Sequence, residues 1–137
     1  MTKPTILVAE DDAFLRTLFA KSFRKAGFEV LTATTGDEAL NQLNRALPHI
    51  LTLDLGLPGV GGLDILRYIR RHEAHLDEAQ QDTVRVRVIV VTGDTSAHRS
   101  EVGTLADLVL LKPVSVSALI TMADRLNRRV NQAHNAS

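Results

Sequence analysis

Ile50-Leu51-Thr52-Leu53-Asp54-Leu55-Gly56-Leu57-Pro58-Gly59-Val60-Gly61-Gly62 is the stretch on which the fold turns. A four-residue apolar run is too short for a helix, and it breaks off into a carboxylate and a glycine-rich loop. That is how a buried strand of a parallel sheet reads in sequence. The same pattern recurs outward along the chain. Ile6-Leu7-Val8-Ala9 runs into Glu10-Asp11-Asp12, Val88-Ile89-Val90-Val91 into Thr92-Gly93, and Leu108-Val109-Leu110-Leu111 into Lys112-Pro113. Ligands of open α/β sheets bind at the carboxyl ends of the strands. Acids, a hydroxyl and an ammonium are therefore expected on one edge, a set suited to a divalent metal and a phosphoryl group.

The segments between these runs carry helical spacing. Phe14, Leu15, Leu18, Phe19 and Phe23 predict a helix over residues 13–26, closed by Gly27. A second strand covers residues 28–33. Thr35 and Glu38 resemble a capping box for a helix that ends near Ala46, ahead of Pro48. Leu63, Ile65, Leu66 and Ile69 mark a third helix. A short fourth helix is expected between Ser96 and Leu105. Ser115 caps a last one carrying Val116, Leu119, Ile120, Met122, Ala123 and Leu126. The polar stretch 72–83 either lengthens the third helix or forms a loop. The order is βαβαβαβαβα, which predicts a parallel sheet covered on both faces. One domain is expected over residues 1–130, followed by a polar, fraying tail over 131–137.

Composition narrows the function classes. Sixteen basic residues balance sixteen acidic ones, so no net field draws the chain to nucleic acid or an anionic membrane. With no cysteine, disulfides and thiolate zinc sites are excluded. No apolar run reaches membrane-spanning length, and the first residues lack the h-region of a signal peptide. Cytoplasmic residence is the expectation. The histidines, His49, His72, His75, His98 and His134, follow no strand end beside the acids and are read as surface residues.

Asp54 is the candidate nucleophile, since a carboxylate attacks phosphorus to give an acyl phosphate. Negative charge meets negative charge in that attack, so a cation must lie between them. Glu10, Asp11 and Asp54 offer the hard oxygens that Mg2+ prefers, Glu10 acting through water, and the Gly56 backbone carbonyl adds one more. Taken alone, the acidic run is an ordinary helix cap, a role open to Asp12. Lys112 taken alone is a surface lysine and Thr92 a strand residue. Facing Asp54, Lys112 is the counter-charge and Thr92 the hydroxyl for a bound phosphoryl oxygen. A cis bond at Pro113 would aim the lysine inward.

Joined in this order, Glu10-Asp11-Asp12, Asp54 with Pro58 four residues on, Thr92-Gly93 and Lys112-Pro113 resemble the receiver domain of two-component response regulators, over about residues 5–129. The resemblance implies a flavodoxin-like (βα)5 three-layer sandwich with strand order 2-1-3-4-5. It implies that Glu10 and Asp11 bind Mg2+, and that Asp54 takes phosphate from a histidine kinase or a histidine phosphotransfer protein. It gives Thr92 and Lys112 the switching hydroxyl and the pairing lysine. The chain would then be a signalling protein acting by protein–protein contact, with self-catalysed phosphorylation and dephosphorylation only; the residues do not decide whether it forms a homodimer. The family's usual aromatic three residues before the lysine is Val109 here. A valine has no ring to swing inward, so weak or rerouted conformational coupling is expected. Stretch 72–83 is a spacer or a partner surface. Gly56 and Asp94, each two residues beyond a site residue, point to a short-lived phosphorylated state. A dehalogenase-type phosphatase is the main rival, but it needs an acid two residues after the nucleophile, where Gly56 stands. A module that keeps the fold without the phosphorylation is the other, supported by Val109 alone.

Overall fold

The computed structural model describes residues 3–75 and 85–136. Five strands, β1 (Thr5–Ala9), β2 (Glu29–Ala33), β3 (Ile50–Leu53), β4 (Arg87–Thr92) and β5 (Leu108–Leu111), form one sheet in the order β2-β1-β3-β4-β5. Every neighbouring pair is parallel. Five helices cover it: α1 (Ala13–Lys25), α2 (Gly36–Arg45), α3 (Gly62–Ala74), α4 (Glu101–Leu105) and α5 (Val116–Ala136). This is the covered parallel sheet that the alternating runs predict, in the flavodoxin-like order that the resemblance implies.

Side chains of a strand alternate between faces, and each face builds its own core. Leu7, Leu51, Leu53, Val88 and Val90 meet Ala39, Leu43, Ile65, Leu66 and Ile69 of α2 and α3. Ile6, Val8, Ile50, Ile89 and Val91 meet Phe19 and Phe23 of α1 and Leu119, Ala123 and Leu126 of α5. Each large apolar side chain fully buried there contributes roughly 1.5–3 kcal/mol. Both faces of β1, β3 and β4 being covered is why those strands read as unbroken apolar runs.

The helix ends follow local chemistry. Asp12 caps α1, its Oδ1 accepting from the Leu15 N–H at 2.9 Å. Thr35 caps α2 through the Glu38 N–H. The return arm differs from the expected box, since Glu38 Oε2 accepts from the N–H and hydroxyl of Thr34 at 3.2 and 2.7 Å. The expected fourth helix is divided into a 3-10 turn, Ala97–Arg99, and α4. Ser100 interposes its own cap, its Oγ accepting from the Val102 N–H. Helix α5 runs on through Ala136, over most of the expected tail, because neither glycine nor proline interrupts residues 116–136. Phe14, one of the apolar positions whose spacing predicts α1, is 75% exposed. Stretch 72–83 begins inside α3, and its remainder lies outside the described residues. Among the described residues, no helix is long and apolar enough to cross a membrane.

At the amino end of the sheet an ion-pair cluster fastens α3 to β4 and the α4–β5 turn. Arg70 donates to Glu73 Oε1 at 2.8 Å, the Val86 carbonyl at 2.8 Å, the Leu105 carbonyl at 3.0 Å and Asp107 Oδ2 at 3.1 Å. Asp107 and Glu73 in turn accept from the Val88 and Val86 N–H groups. The buried charges are thus paired and hydrogen-bonded, as burial requires.

Candidate functional site

Strand register builds the site. Ala9 pairs with Leu53, so Glu10 and Asp54, the next residue on each strand, leave the sheet side by side. The Asp54 N–H bonds the Ala9 carbonyl and the Glu10 N–H bonds the Ala33 carbonyl, at 3.1 and 3.0 Å. Glu10 is 2% exposed and Asp54 8%, while Asp11 stands in solvent at the rim. One carboxylate oxygen each of Glu10, Asp11 and Asp54 lies within 4.8 Å of the others.

Lys112, one residue beyond β5, reaches across the sheet edge. Its Nζ is 3.2 Å from Asp54 Oδ2 and 3.0 Å from Glu10 Oε1. The second approach falls off the hydrogen-bonding direction, so buried Oε1 has no hydrogen-bond partner among the described residues. The Lys112–Pro113 bond is cis, as the sequence suggested. The Gly56 N–H donates to Asp54 Oδ1 at 2.9 Å; this amide is the part of Gly56 that touches Asp54. Thr92 is buried at the end of β4 with its Oγ1 accepting the Asp94 N–H at 3.1 Å. Asp94 itself turns to Ser96, whose N–H and hydroxyl it accepts.

The electrostatics separate the two buried acids. Burial, then the hydrogen bond to Asp54, pushes Glu10 up to about 7. Burial also opposes charge on Asp54, but Glu10, the Gly56 N–H and Lys112 outweigh it and hold Asp54 below the usual aspartate value. Lys112 is held above its ordinary value: its partial burial works against the charge, and Glu10 and Asp54 more than offset it. Near neutral pH the pocket therefore has one ionised carboxylate, Asp54, one carboxyl poised between its two forms, and one ammonium. An acid whose buried Oε1 has the Lys112 ion pair but no hydrogen bond, a second acid at the rim and an ionised third fit a hard divalent cation such as Mg2+.

Residues Glu10, Asp11, Asp54 and Lys112 are thus brought together, with Thr92 on the neighbouring strand end and Asp12 serving as the cap. Sequence reasoning missed Arg16. From the second turn of α1 its guanidinium donates to the Glu10 and Asp11 carbonyls, at 3.1 and 3.3 Å, and so fixes the acid-bearing turn. An arginine one helical turn beyond an N-terminal acidic run was the available signal. Of the histidines, His49 accepts the Thr5 N–H at 3.0 Å and ties β1 to the start of β3, and His72 stacks on Tyr68. Neither approaches the acids.

The family model for the response regulator receiver domain matches residues 6–124. The phosphate regulon transcriptional regulatory protein PhoB of Rhizobium meliloti is 34% identical over 128 residues, covering 92% of this chain and 53% of that protein. The chain spans about half the length of the curated relatives it matches. Among solved structures, a Francisella response regulator receiver domain superimposes with a TM-score of 0.78 at 24% identity, covering 92% of this chain and 98% of that one. The response regulator TrrA of Thermotoga maritima, solved in complex with Mg2+-BeF, gives 0.74 at 24% identity, covering 90% and 98%. Likeness at such identities speaks for the fold. The family match, by contrast, runs from within β1 into α5 and takes in every strand together with Glu10, Asp11, Asp54, Thr92 and Lys112, and the chain belongs to the response regulator receiver family.

Proposed function

We propose that Asp54 accepts a phosphoryl group from the phosphohistidine of a histidine kinase or histidine phosphotransfer protein, and that the chain passes its state on by protein–protein contact in the cytoplasm. The observation that carries this reading is the ionised Asp54 carboxylate, buried yet held 3.2 Å from the Lys112 ammonium inside a ring of metal-compatible acids.

An Asp54 oxygen attacks phosphorus, the P–O bond forms as the P–N bond breaks, and the electron pair leaves on the imidazole nitrogen. Glu10, Asp11 and Asp54, with the Gly56 carbonyl, would hold Mg2+, which supplies positive charge against the phosphoryl oxygens. Lys112 exchanges its contact with Asp54 for one with a phosphoryl oxygen, and Thr92 donates its hydroxyl to another. Gly56 leaves the carboxylate open, since a Cβ there would stand 3.4 Å from Asp54 Oδ1. Phe14, apolar and 75% exposed two residues beyond the Asp12 cap, offers the donor protein a contact beside the pocket. The Mg2+-BeF complex of the Thermotoga relative supports the metal and phosphoryl assignment.

Fluoride NMR with beryllium fluoride tests the reading. Bound-fluoride signals that require Mg2+ and vanish in Asp54→Asn are expected; no bound signal in the wild-type chain would overturn it.

A further inference from the structure

The loop between β3 and α3 has a second anchor, and it lies on a different helix. The Gly36 N–H, at the first residue of α2, donates to the Pro58 carbonyl at 2.9 Å. Gly36 is buried against the same loop. A Cβ at position 36 would overlap the Val60 carbonyl oxygen and stand 2.7 Å from the Val60 carbonyl carbon and 2.9 Å from its nitrogen. All three atoms are backbone, so no side-chain rotation relieves the overlap. On the next residue the contact runs the other way. Gly59 has φ +84°, and a Cβ there would overlap Asp37 Oδ2 and lie 3.4 Å from Asp37 Cγ. Leu57, directly before Pro58, is buried in the core with α2 and α3. The far end of the loop is fixed as well, because a Cβ on Gly62 would lie 2.6 Å from Leu55 Cδ2 and 3.2 Å from Leu55 Cα.

A loop that carries Gly56 is thus seated on the amino terminus of α2. The Gly56 N–H of that loop is the one that donates to Asp54 Oδ1. Among the described residues, neither Gly36 nor Asp37 hydrogen-bonds Asp54. We infer that Gly36 clamps this loop and is a positioning residue for the metal and phosphoryl site, acting through the Pro58–Val60 backbone, while Gly59 at φ +84° lets the loop keep that path. This rests on the reading of Glu10, Asp11, Asp54 and Gly56 as the Mg2+ site.

The loop supplies its own control. Gly61 has nothing within 4 Å of a built Cβ and no positive φ, so Gly61→Ala adds a methyl to the same loop without pressing on α2. Gly36→Ala, Gly61→Ala and, at an exposed position, Gly59→Ala are compared with the wild-type chain in Mg2+ affinity by calorimetry or amide titration, in the Gly56 amide resonance and in melting temperature in EDTA. Residues that orient ligands are typically worth 10–100-fold in metal affinity. Gly36→Ala and Gly59→Ala are therefore expected to weaken Mg2+ binding about tenfold or more and to shift the Gly56 amide resonance even in EDTA, while Gly61→Ala changes neither. Should Gly36→Ala lower the melting temperature but leave Mg2+ affinity and the Gly56 resonance at wild-type values, the clamp is structural and the inference is overturned. If Gly36→Ala fails to fold, Gly59→Ala decides by the same two readouts. A wild-type chain that binds no Mg2+ would instead overturn the metal-site reading, a result separable from either of these.

Discussion

Glu10→Gln gives the sharpest view of the pocket's electrostatics. In the folded chain burial and Asp54 raise the Glu10 carboxyl from 4.5 to about 7. Between those values the folded state keeps a proton that the unfolded chain has released. The stability that Glu10 contributes is therefore complete below about pH 4.5 and is lost as pH rises through about 7. At about 1.4 kcal/mol per pKa unit the ceiling is about 3 kcal/mol, and the expected loss is about 1–3 kcal/mol. Asp54 does not enter this window, because its carboxyl is held below its ordinary 3.8. Its contribution is present above that value and is lost only at lower pH. Urea unfolding in EDTA at pH 5, 6, 7 and 8 measures the effect. Histidine titrations are common to both proteins and cancel when Glu10→Gln is compared with wild type. The variant should gain about 1–3 kcal/mol on the wild-type chain between pH 5 and 8. Saturating Mg2+ should remove most of that gain by stabilising the wild-type pocket at high pH. A wild-type-minus-variant difference that is flat with pH, or of opposite slope, would refute the reasoning.

Other perturbations probe other parts of the account. Arg70→Ala leaves buried Glu73 without its cation and Asp107 with only Arg85 and Arg87, and should cost about 3–5 kcal/mol in denaturant unfolding; a loss under about 1 kcal/mol would show that the cluster is weakly coupled to folding. With Mg2+ and beryllium fluoride, amide shifts should concentrate on the site and α3 and not spread over residues 94–120. Val109 has no ring to move, and Arg67–Glu101 together with Arg70 and the Leu105 carbonyl fastens α4 to α3; a broad spread over 94–120 would contradict this. Gly56→Arg should lengthen the lifetime of the phosphorylated chain by shielding Asp54 from water. A lifetime equal to that of the wild-type chain would count against the open position at Gly56.

The parallel sheet and the acid-bearing strand ends could be read in the sequence because a strand buried on both faces has only one pattern available, an apolar run stopped by whatever follows. Glu10, Asp54 and Lys112 stand directly at those stops, so their convergence follows from strand order alone. The features that escaped depend on the path of a single long side chain or on partners far along the chain. Arg16 folds back to two carbonyls five and six residues away. Arg70 finds acceptors 16, 35 and 37 residues on, and no periodicity announces such a contact. Ser96 and Ser100 are both good caps, and only packing shows that the helix restarts at Ser100. Phe14 keeps helical spacing with its apolar neighbours yet is exposed, while Phe19 and Phe23 of the same helix are buried. The close seat of Gly36 under Val60 is likewise a matter of backbone distance, which residue type alone does not reveal.

Intact mass after incubation with acetyl phosphate or phosphoramidate, with and without Mg2+ and alongside Asp54→Asn, tests the central claim most directly. The account predicts a gain of one phosphoryl group that requires both Mg2+ and Asp54. No gain with either donor in the presence of Mg2+, or an equal gain in Asp54→Asn, would contradict it.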